Sequence, residues 1–308
     1  MELSLLLIQK IVSLFLIMFL GYLLVRCRLV KSSDSRVISV LSLYLIIPCT
    51  IISAFEVDFS PEVRQNLLLA VAAAVLTQGL LVLLSMLLSR VMKLDAVEKL
   101  SLAFSNAGNL IIPLVMAVLG PEWVIYTSAY ISVQLVLLWS YGKAVLCGEK
   151  KPDVKKIVCN VNMIAILAGL VLLVSGLRLP ALLQDTVDSL GAMLGPSAML
   201  VTGMLIAGMD LKKAFRNPRL WRVVLFRLVL LPLCTLAVLK FSGLTALVPE
   251  GRQLLLITLL ATITPSASTI TQMAQVYGRD ADYAGAVNVA STLGCIITMP
   301  IIVSLYLL

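Results

Sequence analysis

The sequence predicts an all-α integral membrane protein with ten transmembrane helices. They form two inverted five-helix repeats, with interrupted, crossing helices 4 and 9. Three observations lead to this fold class: the composition, ten apolar runs, and matched breaks in the two halves. The 308 residues are 60% hydrophobic and 13% charged, with a mean hydropathy of +1.05. Soluble domains are about half apolar and about a quarter charged, so the composition excludes a soluble enzyme.

Ten apolar runs are long enough to cross a bilayer, which takes about 20 residues. They cover residues 5–25, 36–55, 66–89, 99–119, 123–146, 158–176, 184–208, 220–239, 253–276 and 282–306. No long soluble domain separates them, which favours a compact multi-pass protein.

Basic residues are unevenly distributed between these runs. The connections after runs 1, 3, 5, 7 and 9, counted with the run ends that border them, carry 18 of the 24 lysines and arginines, and the connections after runs 2, 4, 6 and 8 carry four. Lys10 and Arg227 fall deeper inside runs. Because basic loops stay in the cytoplasm, we expect both termini outside and residues 148–157 inside the cell. The net charge of +8 is thus assigned to topology in the cell membrane (plasma or inner), with no nucleic-acid partner.

The basic linker 148–157 divides the chain into two halves, residues 1–147 and 158–308. Each half contains five runs, so the halves lie in the membrane with opposite orientations. Helix-interrupting residues also occur at corresponding places in the two halves, since Pro48 in run 2 is matched by Pro196 in run 7. The alternative explanation is that membrane helices simply tolerate proline and glycine.

Runs 4 and 9 carry the strongest break signals. Run 4 has a polar stretch at 105–109 followed by Pro113, and run 9 has Thr264 and Pro265 among hydroxyl residues. Interrupted helices at corresponding positions of inverted halves mark the binding site of many secondary transporters. Threonine is a good N-cap and proline suits the first helical position. We therefore expect a half-helix to begin at Pro265, near the bilayer centre.

Two half-helix N-termini at the membrane centre attract an anion without any lysine or arginine. Neutral hydrogen-bonding groups cluster around both breaks, and their alternative role is to cap the broken helix ends. The predicted substrate-binding residues are Asn106, Asn109, Pro113, Thr264, Pro265, Ser266, Ser268 and Thr269.

Other residues inside the runs have weaker claims. Arg227 is expected to snorkel to the inner surface or to form a structural pair, in preference to contacting substrate. Gly191 and Gly195 fit close helix packing, either within the chain or at a dimer seam. Five amide side chains inside the runs fit either hydrogen bonds between helices or the lining of the site: Gln134, Asn160, Asn162, Gln272 and Asn288. Hydrogen bonding between helices is preferred for the first three.

Several segments of the chain are similar to those of a known family. They are the proline segment of run 2 at 43–52, the break of run 4 at 106–114, and residues 277–280 and 298–300 near the end. On these segments the chain resembles the auxin efflux carrier family in its short bacterial form. Ile111 stands where many members have glycine.

The resemblance implies a membrane carrier that forms a homodimer. Runs 1, 2, 6 and 7 would form a scaffold, and runs 3–5 and 8–10 a moving transport domain. The long hydrophilic middle loop of the plant auxin carriers is absent, which argues against auxin itself as the substrate.

The predicted function is secondary transport of a small organic anion, a carboxylate or dicarboxylate, by alternating access. Its partners are this anion and the lipid bilayer, and no cofactor or metal is expected. A channel is less favoured because no ring of charge is apparent. A sodium-coupled symporter of the bile-acid type stays open, since neutral oxygens can bind sodium. An enzyme is disfavoured because the chain has no histidine and no paired acids inside the runs.

Overall fold

The structure of the protein, a computed structural model, describes residues 2–55, 61–148, 159, 161–208 and 215–308. The predicted cytoplasmic linker lies outside these ranges apart from Gly148, and Asn160 lies outside them as well.

The described chain folds into helices joined by short connections, numbered here α1 to α16. They are α1 (Glu2–Arg26), α2 (Ser35–Leu41), α3 (Ile47–Phe55), α4 (Pro61–Met92), α5 (Ala96–Ala103), α6 (Ala107–Val118), α7 (Thr127–Leu137), α8 (Lys143–Cys147), α9 (Val161–Ser175), α10 (Ala181–Gly191), α11 (Leu194–Gly208), α12 (Pro218–Leu225), α13 (Leu231–Phe241), α14 (Gly251–Thr262), α15 (Ser268–Val276) and α16 (Ala281–Leu307). Short 3₁₀ segments lie at Ser32–Asp34, Pro121–Tyr126 and Leu244–Ala246, and π segments at Ser42–Ile46, Leu138–Gly142 and Phe226–Leu230.

Six helical stretches in the described ranges are long and apolar enough to cross a membrane. They are Ser32–Ser53, Val63–Met92, Glu122–Cys147, Ala181–Gly208, Pro218–Phe241 and Ala281–Leu307. Shorter apolar helices lie at Val12–Arg26, Val161–Leu172 and Gly251–Thr262. A chain with this many apolar helices is a multi-pass membrane protein.

Two of these helices contain a proline and continue past it with a local π-helical turn. Pro48 and Pro232 each follow a π segment, Ser42–Ile46 and Phe226–Leu230 respectively. Proline has no N–H to donate, and its ring clashes with the carbonyl group four residues earlier. A π turn in front of the proline accommodates both effects and keeps the helix continuous.

The break in run 4 lies ahead of its proline. The helix α5 ends at Ala103 and α6 begins at Ala107, so the chain is extended or irregular over residues 104–106. Pro113 therefore lies inside α6 and does not mark the start of a half-helix.

The break in run 9 corrects the expectation that a helix starts at the Thr-Pro pair. The helix α14 ends at Thr262 and α15 begins at Ser268, with Ala267 in the N-cap position. Thr264 and Pro265 thus belong to the linking segment. The second half-helix begins three residues later than the cap rules indicate, because residues 265–267 are drawn into main-chain pairing with run 4, as described below.

Glycine allows α1 and α11 to pack closely. A Cβ atom on Gly21 would stand 2.5 Å from the Leu200 carbonyl oxygen, and one on Gly203 would overlap the Met18 carbonyl oxygen. The two helix backbones are therefore in direct contact. Outside this contact, α1 exposes large apolar side chains such as Leu16 and Phe19, as expected for a surface against lipid.

A second close contact joins α3 to α10. The Thr50 hydroxyl donates to the Gly191 carbonyl oxygen at 3.3 Å, and a Cβ on Gly191 would stand 3.3 Å from the Thr50 Cα. Of the two roles foreseen for Gly191, the structure shows packing within the chain. The helix α3 also packs against α9.

Two apolar cores meet where runs 4 and 9 are broken. The larger core includes Ala107 and Leu110 of α6, and the smaller core includes Phe104, Ala267 and Ile270. The breaks therefore lie at the boundary between the cores, with buried side chains on both sides.

Candidate functional site at the helix crossover

The two breaks pair with each other through their main chains. Ser105 and Ser266 face one another in an antiparallel bridge. The Asn106 amide donates to the Pro265 carbonyl oxygen at 2.8 Å, and the Ala267 amide donates to the Phe104 carbonyl oxygen at 3.1 Å. Each break therefore satisfies some of the main-chain groups that unwinding frees in the other.

The pairing brings two half-helix N-termini side by side. The helix α6 starts one residue after Asn106, and α15 starts at Ser268. The Ser268 hydroxyl donates to Asn106 Oδ1 at 3.2 Å, which links the first turns of the two helices. Neither N-cap residue bonds its own helix through a side chain. Each N-terminus carries about half a positive charge, so the arrangement is electrostatically suited to an anion.

A glutamine on α7 holds the first break in place. Gln134 Oε1 accepts from the Ser105 amide at 3.0 Å and from its hydroxyl at 2.7 Å. Gln134 Nε2 donates to the Ser105 carbonyl oxygen at 2.9 Å. One side chain therefore satisfies three polar groups of a single unwound residue.

A second pair of side chains extends this network to α4. The Tyr130 hydroxyl donates to Gln78 Oε1 at 2.9 Å, and Gln78 Nε2 donates to the Ala103 carbonyl oxygen at the end of α5, also at 2.9 Å. All three residues are buried. The broken helix of run 4 is thereby fixed to both α4 and α7.

The helix α16 holds the second break. Asn288 Nδ2 donates to the Ser266 carbonyl oxygen at 2.8 Å, and the Ser266 amide donates to Ser291 Oγ at 3.2 Å. The Ser266 hydroxyl is buried and has no hydrogen-bond partner among the described residues. This hydroxyl is available to a ligand, whereas the Ser266 main chain is already engaged.

Arg227 is fully buried beside the crossover and does not reach the surface. Its guanidinium donates to the carbonyl oxygens of Leu102 at 3.0 Å and of Thr262 and Thr264 at 2.7 Å each. Of the two roles preferred from sequence, snorkelling is wrong. The structural role is correct, with main-chain carbonyl groups as the partners.

The structure brings together only some of the predicted site residues. Asn106, Ser266 and Ser268 lie at the crossover, and Pro265 contributes its carbonyl group. The Thr264 hydroxyl donates to the Ala261 carbonyl oxygen at 2.9 Å, so it serves the end of α14.

The other predicted site residues contribute less. Thr269 is half-buried on the first turn of α15. The side chains of Asn109 and Pro113 lie outside the described part of the structure.

Sequence reasoning anticipated part of the surrounding network. Gln134 and Asn288 bond across helices, and Asn162 Nδ2 donates to the Leu43 carbonyl oxygen at 2.9 Å. The roles of Gln78 and Tyr130 were missed, although a glutamine inside an apolar run is itself a signal of such a role.

One acidic residue was also missed. Glu98 is buried at the start of α5, where it exchanges capping bonds with Asp95 at 2.9 Å. It also accepts from the Tyr283 hydroxyl at 3.1 Å and lies 4.0 Å from Arg222. The predicted run began one residue later and therefore left Glu98 out.

Comparison with known proteins places this architecture in a family. The sequence model described as membrane transport protein matches residues 6–152 and 150–303, which together cover nearly the whole chain. The auxin efflux carriers are part of this family. No curated protein matches the chain. The two matches, together with the apolar helices, show that the chain belongs to the membrane transport protein family.

Proposed function

We propose that the protein is a secondary transporter of the auxin efflux carrier type, in its short bacterial form. It moves a small organic anion, a carboxylate or dicarboxylate, across the cell membrane by alternating access. The observation that carries this proposal is the antiparallel pairing of Ser105 with Ser266. Each serine lies in a helix break, and each break lies in a different one of the two segments matched by the family.

The proposed architecture has ten spans in two inverted repeats, residues 1–147 and 158–308, joined by the cytoplasmic linker. With five spans in each half, the breaks at 104–106 and 263–267 occupy equivalent places in opposite orientations. Both termini are outside on the charge distribution, and the protein works as a homodimer by its resemblance to the family.

The scaffold of this carrier comprises spans 1, 2, 6 and 7. The close glycine contact of α1 with α11, and the packing of α3 against α9 and α10, support this grouping. The crossover is tied instead to α4, α7 and α16 by side-chain bonds from Gln78, Gln134 and Asn288. Because these bonds join the broken spans to their neighbours, we infer that spans 3–5 and 8–10 move as one body against the scaffold.

The substrate anion binds where α6 and α15 begin. Both N-termini favour negative charge, and Asn106, Ser266 and Ser268 supply neutral polar groups. A carboxylate would gain about 1.5–3 kcal/mol for each charge-assisted hydrogen bond, before its desolvation is subtracted. Thr264 and Pro265 shape the site through the backbone, and Asn109, Pro113 and Thr269 complete the proposed set.

A thermal-shift screen of the purified protein tests this proposal. Carboxylates and dicarboxylates such as malonate and malate should raise the melting temperature, and amines of similar size should not. Ser266→Ala should reduce the shift, and Ser304→Ala, at an exposed position on α16, should leave it unchanged. Counterflow in proteoliposomes then separates a carrier from a channel, because only a carrier exchanges substrate. Screens without any stabilising anion, in protein that is folded, would contradict the proposal.

A further inference from the structure

Arg227 occupies an unusual place, since it joins the C-terminal ends of both broken helices. Leu102 lies in the last turn of α5, and Thr262 ends α14. One guanidinium donates to the carbonyl oxygens of both residues and to that of Thr264 in the break. Arg227 therefore lies at the negative C-terminal ends of the broken helices. The positive N-termini, which face the proposed anion site, lie on the other side of the crossover.

The electrostatics of these carbonyl groups favour a cation. The C-terminus of each half-helix carries about half a negative charge, and the unwound carbonyl group of Thr264 adds a further dipole. In transporters built from inverted repeats, half-helix C-termini and unwound carbonyl groups are the groups that coordinate a coupling cation such as Na⁺. Here the same kinds of groups are already bound by a side chain of the protein.

The charge on Arg227 is balanced by these dipoles and not by an acid. In the described part of the chain, no carboxylate pairs with this guanidinium, which is 0% exposed. A buried cation is costly unless its donors are satisfied. Three carbonyl oxygens accept hydrogen bonds from its two terminal nitrogens at 2.7–3.0 Å, and its buried Nε has no partner among the described residues. Arginine stays protonated in such surroundings, so the charge is permanent.

The position of Arg227 along the chain explains how the side chain reaches the crossover. It lies in the π segment Phe226–Leu230, one turn before Pro232. A π turn rotates the following residues relative to an α-helix and is frequent at functional sites.

We propose that Arg227 is a tethered cation that takes the place of a coupling ion, so that the transporter works without sodium. Its fixed charge also serves as the counter-charge for the carboxylate bound on the other side of the crossover. The inference rests on the proposed transport function for its meaning, but the cation site itself can be tested without any substrate.

The test compares the purified full chain in NaCl and in choline chloride at equal ionic strength. Arg227→Met removes the charge at similar length, and Arg227→Lys retains a charge. Arg219→Met is the matched control, because Arg219 is exposed on α12 of the same span. Melting temperatures are measured first without any carboxylate and then with malonate as the probe.

Wild type, Arg227→Lys and Arg219→Met should melt at the same temperature in both salts. Arg227→Met should melt lower in choline chloride and recover in NaCl, because sodium can enter the vacated carbonyl groups. Its affinity for malonate should fall at least about tenfold, through loss of the counter-charge.

Two results would overturn the inference. The first is a wild-type protein that sodium stabilises, or whose malonate binding needs sodium. The second is an Arg227→Met variant without any sodium-specific recovery. If Arg227→Met does not fold, Arg227→Gln takes its place, because it also removes the charge but keeps an N–H donor, and its sodium-specific recovery or lack of it is interpreted in the same way. If malonate and other carboxylates bind neither the wild type nor any variant, while sodium stabilises only Arg227→Met, the proposed transport function is contradicted and the cation site is supported.

Discussion

The crossover and the contact between α1 and α11 hold the molecule together by opposite means. At the crossover, two unwound segments pair through the main chain and are held by Gln134, Asn288 and Arg227. Between α1 and α11, Gly21 and Gly203 bring two intact helices into backbone contact. Beside the contact of α1 with α11 lies a cleft of about 510 Å³ lined by apolar side chains. One region depends on satisfied polar groups and the other on shape.

This difference matters because the two regions have different tasks in a transporter. An unwound segment in a membrane needs a partner for each polar group, and those partners fix its geometry. Closely packed helices need only small residues at the contact, and they form a rigid support. The two regions should therefore respond differently to mutation, in stability as well as in binding.

Gly203→Ala should have the largest effect, because the added Cβ overlaps the Met18 carbonyl oxygen and no side chain can move aside. We expect a loss of about 3 kcal/mol in stability, measured as the folded fraction during denaturation. Gly79→Ala is the control, since a Cβ there meets nothing within 4 Å. That control should be neutral or more stable by about 0.5–1 kcal/mol. Equal behaviour of the two variants would contradict the close packing of α1 and α11.

Gln134→Leu should rank second. It leaves the buried amide and carbonyl groups of Ser105 without their side-chain partner. At the lower end of the range of about 1–3 kcal/mol for one unsatisfied group, the two lost partners cost about 2 kcal/mol in total. The matched control is Gln184→Leu, at a partly exposed position on α10, where a change within about 0.5 kcal/mol is expected. The measurement is denaturant unfolding of the purified variants. Equal losses of stability in the two variants would show that Gln134 does not hold the break in run 4.

Asn288→Ala should cost less, about 1 kcal/mol on the same scale, because only the Ser266 carbonyl oxygen loses a partner. Combining it with Gln134→Leu sharpens the comparison. The two residues hold opposite strands of one bridge, so their effects should not add. Additive losses in the double variant would show that the two breaks are independent.

Ser266→Ala should have the smallest effect on stability, within about 0.5 kcal/mol, since its hydroxyl bonds no other described residue. Its effect should appear in binding instead. We expect carboxylate affinity to fall about tenfold, which corresponds to about 1.4 kcal/mol. Titration calorimetry with the best anion from the screen makes this measurement. Unchanged affinity would place the anion away from Ser266.

The elements that local rules can detect were predictable from the sequence. Apolar length predicted an all-helical membrane protein, and six helical stretches in the described ranges are long enough to cross a membrane. Matched polar breaks in two halves indicated where runs 4 and 9 are interrupted. The exact start of α15 was not predictable, because capping rules treat Thr264 and Pro265 as a local signal. Their real neighbours are residues 104–106, about 160 positions away along the chain.

The partners of Arg227 were hidden for the same reason. An arginine inside an apolar run signals a role, but not which carbonyl groups it binds. Gly203 is a similar case, because a single glycine in a membrane helix is common and only the position of Met18 makes it necessary.

A disulfide cross-link between the two breaks is the sharpest test of the pairing of Ser105 with Ser266. Ser105→Cys and Ser266→Cys are combined in a chain whose six native cysteines are replaced, with each single cysteine as a control. Ser105 and Ser266 do not bond each other through their main chains and so form a non-hydrogen-bonded antiparallel pair. The Cα atoms of such a pair lie about 4.5 Å apart, within the range that a disulfide spans. We expect mild oxidation to join the two thiols in the folded protein, and a bound carboxylate to slow the reaction. Folded protein in which both thiols stay reduced and open to alkylation would contradict the crossover.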